Sequence, residues 1–219
     1  MSSPLKLVVI ISGNGSNLGA IIGEIQHHRL NAEIVHVISN RPGVYGLSRA
    51  EEADIPVSVI DHKDYASREA FDQALTQRID PYQPDLVVLA GFMRILSDAF
   101  VDHYLGKLIN IHPSLLPDYQ GMNTHQRVLD AGEKQHGVTV HYVIPELDNG
   151  PIILQGDVPV LEGDDADSLE QRVHQAEYQI YPEAIRRIAD GQVTFRNGVV
   201  YYDNGKINDE QRKFDIKLN

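Results

Sequence analysis

The chain has 219 residues, 42% of them hydrophobic, and carries 19 basic against 31 acidic side chains for a formal net charge of −12 at pH 7. That length suits one domain of generous size with a buried core, the hydrophobic share excludes a disordered chain, and the acidic balance argues against nucleic-acid partners, which need clustered Lys and Arg. Cysteine is absent, which excludes disulfides, thiolate metal sites and a cysteine nucleophile and makes the cytoplasm the expected compartment.

"MSSPLKLVVIISGNG" opens with a short apolar run broken by Ser12 and Gly13. It reads as a first buried strand and not as a signal peptide, and no stretch of the sequence is long and apolar enough to span a bilayer, so no membrane partner is expected. Apolar runs then alternate with helical patterns: "KLVVII" with "SNLGAIIGEIQHH", "AEIVHVIS" with "YGLSRAEEAD", "PVSVI" with "SREAFDQALTQRI", "DLVVLAGFM" with "LSDAFVDHY", and then "KLINIH". β-Branched runs of this length suit strands buried on both faces, so the expected class is α/β, an open, mostly parallel, doubly wound sheet. After Pro113 the style changes. "HGVTVHYVI" and "GPIILQGDVPV" alternate as antiparallel strands do, which places antiparallel additions in a C-terminal lobe. A long helix is expected over "ADSLEQRVHQAEYQIYPEAIRRIADG", kinked or divided at Pro182. "VTFRNGVVYYDNGKI" holds an Asn-Gly hairpin turn, and the polar last residues are expected to fray. With no linker or repeat, residues 1–219 read as one domain, with a phosphate-binding half over about 1–105, a catalytic lobe over about 106–205 and a tail over 206–219.

Two stretches carry chemistry. In "ISGNGSN", Gly13 and Gly15 let the backbone turn sharply between strand and helix, and Ser16 and Asn17 fall at the helix N-terminus, where unpaired N–H groups favour an anion. The spacing is neither a dinucleotide fingerprint, since Leu18 stands where a third glycine would, nor a P-loop. A turn with a plain helix cap accounts for the same residues. In "NIHPS", Asn110 and His112 lie two apart on a strand and so leave it on one face, at the carboxyl end where open α/β sheets bind ligands. Asp148 in "ELDNGP" is what turn chemistry asks for. It is also the carboxylate that, beside an imidazole, would orient and charge it. Amide, imidazole and carboxylate together suit acyl transfer to an amine, two of them stabilising an oxyanion and the third moving protons. No His-Glu-x-x-His pattern supports a metal, and none is expected.

"ISGNGSN", "VVLAGFMRILS", "NIHPSLLP" and "ELDNGPIILQ", in this order and spacing, resemble the folate-dependent formyltransferases, in particular the phosphoribosylglycinamide formyltransferases of purine biosynthesis. The likeness runs from Lys6 to about Gly191. It implies 10-formyltetrahydrofolate as formyl donor and phosphoribosylglycinamide as acceptor, with Asn110, His112 and Asp148 as the catalytic trio and Asp148 keeping His112 protonated. It further implies Gly15, Ser16, Asn17 and Glu177 for the phosphorylated acceptor. For the folate it implies Arg68, Met93, Arg94, Ile95, Leu96, Asn110 and the loop Ile144, Pro145, Glu146, Leu147 and Asp148. Asn123, where many relatives have histidine, and Asp118, where many have a basic residue, depart from the pattern. A homodimer is compatible with the resemblance. A methionyl-tRNA formyltransferase would be expected to carry a further C-terminal domain and to bind RNA, which the acidic balance disfavours. A formyltetrahydrofolate hydrolase would carry an N-terminal regulatory domain, and a non-catalytic nucleotide-binding module would use the glycine turn alone.

Overall fold

The computed structural model describes residues 3–218. It contains a mostly parallel seven-stranded sheet and a three-stranded antiparallel sheet, which bears out the expected fold class. The chain divides into two compact units, Met1–Asn110 and Ile111–Asn219. Among the described residues no helix is long and apolar enough to cross a membrane.

In the first unit, β1 (Leu5–Ile11) pairs in parallel with both β2 (Ala32–Ser39) and β4 (Leu86–Leu89). β3 (Val57–Val59) extends β2, and β5 (Leu108–His112), whose last two residues belong to the second unit, extends β4. Chain direction across the sheet therefore reverses at β1 and β4, the position at which an open α/β sheet forms its ligand crevice. Leu7 through Ile11 are fully buried, as expected of a central strand covered on both faces. The helices α1 (Ser16–Gln26), α2 (Tyr45–Glu51), α3 (Arg68–Ile79) and α4 (Asp98–His103) connect them. α1 buries Leu18, Ile21 and Ile22, the i, i+3, i+4 face. α3 starts because the Ser67 side chain accepts from Ala70 N–H, and it buries Phe71, Leu75 and Ile79.

In the second unit, α5 (Thr124–Asp130) precedes the antiparallel pair β6 (Gln135–Tyr142) and β7 (Ile152–Pro159). Next come α6 (Ala166–Ala189), the meander β8 (Val193–Arg196), β9 (Val199–Tyr202) and β10 (Gly205–Lys206), and α7 (Asp209–Arg212). Buried Thr139 on β6 knots the hairpin to the chain after β5. Its hydroxyl donates to Ser114 O at 2.7 Å and accepts from Leu116 N at 3.0 Å and from Gln155 Nε2 at 2.9 Å.

The structure narrows one expectation and corrects another. α6 is not divided at Pro182 but runs unbroken for 24 residues. Leu169, Val173, Ala176, Ile180, Ala184 and Ile185 bury one continuous stripe along it, and that packing outweighs the single backbone hydrogen bond a proline removes. The C-terminal segment, expected to fray, is tied down as far as Lys217. Lys213 bridges Gln155 in parallel, Phe214 N–H donates to Gln155 O at 2.8 Å, and the Gln179 side chain bonds both Lys217 N and Lys217 O at 3.0 Å. The segment thus covers the edge of β7, whose backbone groups would otherwise lack partners. The second sharp reversal near the C-terminus uses Asp203 and Asn204, both at positive φ, and the first uses Asn197-Gly198 as the sequence indicates.

The start of α6 is fastened by charge. Asp165 and Ser168 form a capping box, and Arg172 holds Asp164 bidentately at 2.6 and 2.8 Å. The Asp164 side chain is 5% exposed, and the Arg172 hydrogen bonds hold its carboxyl far below the usual carboxylate range. Because the folded carboxyl titrates below its unfolded value of about 3.9, this contribution is complete at neutral pH and fades as pH falls below about 4. Asp164→Ala, which strands a mostly buried guanidinium, should lower stability at pH 7 by about 2–4 kcal/mol in urea unfolding, with a smaller difference near pH 3.

Candidate active site

β1 delivers the glycine turn and β4 delivers the Met93–Leu96 loop, side by side at the carboxyl edge of the first unit. Gly15 adopts a left-handed conformation (φ 69°) immediately before α1. A Cβ there would lie 2.6 Å from Gly46 Cα, so the position demands glycine on both conformational and steric grounds. Ser12, buried at the end of β1, accepts a 2.8 Å hydrogen bond from Met93 N–H. At the other end of that loop Ser97 N–H donates to the buried carboxylate of Asp72 at 2.6 Å. The loop is thereby pinned at both ends, with Met93 and Ile95 left 63% and 59% exposed. Leu96 is buried, and the Arg94 guanidinium lies over the Phe71 ring at 5.2 Å with its Nε buried and, among the described residues, without a hydrogen-bond partner. Arg68, at the exposed start of α3, pairs with Glu69 at 3.4 Å.

In the second unit the structure brings His112 and Asp148 together. β5 ends at His112, and the turn between β6 and β7 places Asp148 Oδ2 3.5 Å from His112 Nδ1. His112 Nε2 bonds Tyr119 O at 3.0 Å. Both ring nitrogens thus face oxygen acceptors. Asp148 is held by more than its own turn. It takes a left-handed conformation (φ 48°), its Oδ2 accepts from Gly121 N at 3.0 Å, and its carbonyl accepts from Gln120 Nε2 at 3.1 Å. The segment Ile144 to Leu147 forms the rest of that turn, and Leu147 is 53% exposed. Behind Asp148 lies a cleft of about 220 Å³ lined by Leu116, Pro117, Gly150 and Arg212 among others. Asn110 lies on β5 two residues before His112 and so on the same face, and Glu177 is buried on α6. Among the described residues no group of three or more His, Cys, Asp or Glu is placed to hold a metal ion.

Three further histidines, to which the sequence alone assigns no role, acquire partners in the structure. His141 is buried on β6, donates from Nδ1 to Tyr142 O at 2.9 Å and turns Nε2 towards Asp148 Oδ1 at 4.0 Å. Burial lowers its pKa, partly opposed by the Tyr142 carbonyl and the Asp148 charge. His125 Nδ1 and His136 Nε2 share a hydrogen bond of 3.0 Å between α5 and β6. Their positions, eleven residues apart in different elements, fit no ligand motif, and only the packing of helix on strand joins them.

A family model described as "Formyl transferase" matches residues 5–185, and the chain belongs to that family of formyl-transferring enzymes. Among characterised proteins it is 47% identical to phosphoribosylglycinamide formyltransferase of Escherichia coli K12, over 93% of this chain and 96% of that protein. It is 46% identical to the human trifunctional purine biosynthetic protein adenosine-3, over 92% of this chain but only 19% of that much longer protein. The solved phosphoribosylglycinamide formyltransferase of Coxiella burnetii matches with a TM-score of 0.91 and 51% identity, covering 96% of this chain and 99% of that one. Glycinamide ribonucleotide transformylase 1 of Symbiobacterium toebii follows at a TM-score of 0.88 and 41% identity, covering 92% and 95%.

Burial, with smaller contributions from His125 and His112, pushes the His136 pKa down to about 4. The folded protein therefore resists a proton that the unfolded chain accepts near pH 6.5, and stability falls as pH drops from about 6.5 to 4. His136→Asn should flatten this part of the profile in urea unfolding measured at pH 7, 6 and 5.

Proposed function

We propose that the chain transfers the formyl group of 10-formyltetrahydrofolate to the amine of 5′-phosphoribosylglycinamide, giving the N-formyl product and tetrahydrofolate. The observation that carries this reading is the His112–Asp148 pair at the end of β5, in a chain of the formyl transferase family. The acceptor amine attacks the formyl carbon, a C–N bond forms, and the carbonyl electron pair moves onto oxygen. Asn110 and His112 donate hydrogen bonds to that developing oxyanion. Asp148 orients the imidazole and, with water, takes the proton lost by the attacking amine and returns it to the departing folate nitrogen. For Nε2 to reach the formyl oxygen it must exchange the Tyr119 carbonyl that it holds now. Tyr119, itself at φ 55°, lies on the loop that follows β5, where exchange costs less than on a strand.

The remaining roles follow the resemblance. Gly15, Ser16 and Asn17 take the acceptor's phosphate through N–H groups at the start of α1, whose dipole favours an anion, and Glu177 contacts the same substrate. Met93, Arg94, Ile95 and Leu96 with Arg68, and separately Ile144 to Asp148, contact the folate. Features that fit an amphipathic donor are the exposed apolar tips of Met93 and Ile95 on the first segment and, separately, of Leu147 on the second. On this reading residues 1–219 act as one catalytic domain in the cytoplasm, and a second copy of the chain is a compatible partner.

His112→Ala and Asp148→Asn should each lower kcat by about 10²–10⁴-fold with cooperative unfolding retained. A spectrophotometric assay with a 10-formyl folate donor checks this, offering phosphoribosylglycinamide, initiator methionyl-tRNA or water alone as acceptor. A loss below tenfold for both variants would remove the mechanism. Turnover with tRNA or with water alone would replace the acceptor.

A further inference from the structure

The glycine turn is gripped by α2 through hydrogen bonds to Gly13 and Asn14, neither of them an expected site residue. Gly46, in the first turn of α2, donates its N–H to Gly13 O at 3.1 Å. One helical turn on, Arg49 donates from Nε to Asn14 O at 3.0 Å and from Nη2 to Asn14 Oδ1 at 3.3 Å. The guanidinium is itself fixed, lying over the Tyr45 ring at 4.6 Å. Room for this grip depends on glycines. A Cβ at Gly46 would lie 2.5 Å from Ile11 Cδ1 and 2.9 Å from Gly13 O, and a Cβ at Gly19 would come within 3.2 Å of Arg49 Nη1.

Peptide planarity turns these contacts into an orientation. In a trans peptide the carbonyl and the following N–H point in opposite directions. With the carbonyls of Gly13 and Asn14 both drawn onto α2, the N–H groups of Asn14 and Gly15 face the other way. There they join the N-terminal end of α1, whose dipole favours an anion. Successive N–H groups aimed to one side of a turn form an anion-binding concavity. A turn containing Gly13 and Gly15 would otherwise be free to rotate either peptide.

We propose that Arg49 is a positioning residue for the acceptor's phosphate: by clamping the Asn14 peptide it holds the turn in the conformation that accepts the anion. This deepens the phosphoribosylglycinamide reading and rests on it. Arg49 acts through backbone orientation, and the gain is preorganisation, since binding then costs no ordering of the turn.

The test compares kcat/KM for phosphoribosylglycinamide with kcat/KM for its dephosphorylated analogue, ribosylglycinamide, in the full-length protein with a 10-formyl folate donor. Arg49→Ala should lower the ratio of the two by about 10–100-fold, through KM for the phosphorylated acceptor rather than through kcat. Arg49→Lys, which keeps one donor for Asn14 O, should recover part of the ratio. Asn14→Ala, which removes only the weaker side-chain contact, should lower it less than Arg49→Ala does. A ratio equal to wild type in Arg49→Ala, or a loss falling equally on both acceptors, overturns the clamp. Should Arg49→Ala not fold, Arg49→Gln, which keeps the stem over Tyr45, is judged by the same ratio. If the unmodified protein already uses both acceptors equally well, the phosphate assignment of the turn is what fails, and that outcome is distinct from any result with the Arg49 variants.

Discussion

The central position of β1 is the constraint on which the first unit depends. It must hydrogen-bond to β2 on one side and β4 on the other, both in parallel, so both following connections leave from the same edge of the sheet. The glycine turn and the Met93–Leu96 loop become neighbours for that reason, although 81 residues separate Ser12 from Met93. Full burial of Leu7 to Ile11 holds the strand in place, since any displacement would have to repack both covered faces. The turn is thus mounted on the most rigid part of the unit, and α2 fixes the two peptides that the strand itself does not control.

The second unit meets a different difficulty: an imidazole on the last residue of a strand and a carboxylate in a turn must be kept within ion-pair distance. The answer is a set of backbone tethers. Thr139 and Gln155 fasten the chain after His112 to the β6–β7 hairpin, and Gly121 N–H fastens the Asp148 carboxylate. Tyr119 and Asp148 both sit at positive φ without being glycine. That local cost of about 1 kcal/mol or more is sustained because the surrounding hydrogen bonds determine the conformation. Strain of this kind gathers where a loop must present a carbonyl or a carboxylate in one direction.

The acidic surface and the local cationic groups are compatible because they act over different distances. A net charge of −12 repels anions weakly through solvent screened within about 10 Å, whereas backbone N–H groups and a helix dipole act at contact. Arg49 and Arg94 each lie against an aromatic ring, which fixes a guanidinium without adding a carboxylate partner that would cancel its charge.

The sequence by itself determined the parallel strands, the hairpin and the helices, because short apolar runs and a helical stripe are local patterns that burial reads directly. It also marked Asn110, His112 and Asp148 as chemistry-bearing positions, and the spacing of its motifs carried the family. Only the tertiary structure decided that His112 and Asp148 meet at 3.5 Å, that His125 and His136 are hydrogen-bonded, and that Arg49 reaches back 35 residues to the glycine turn. The same holds for Pro182, where a local rule predicted a kink or a division and a stripe of packing along α6 kept the helix undivided. So too for the polar C-terminal segment, which became ordered only once the open edge of β7 offered it partners. The physical reason is common to all five. Their energies arise from contacts between elements that the chain brings together on folding, and no window of sequence contains both halves of such a contact.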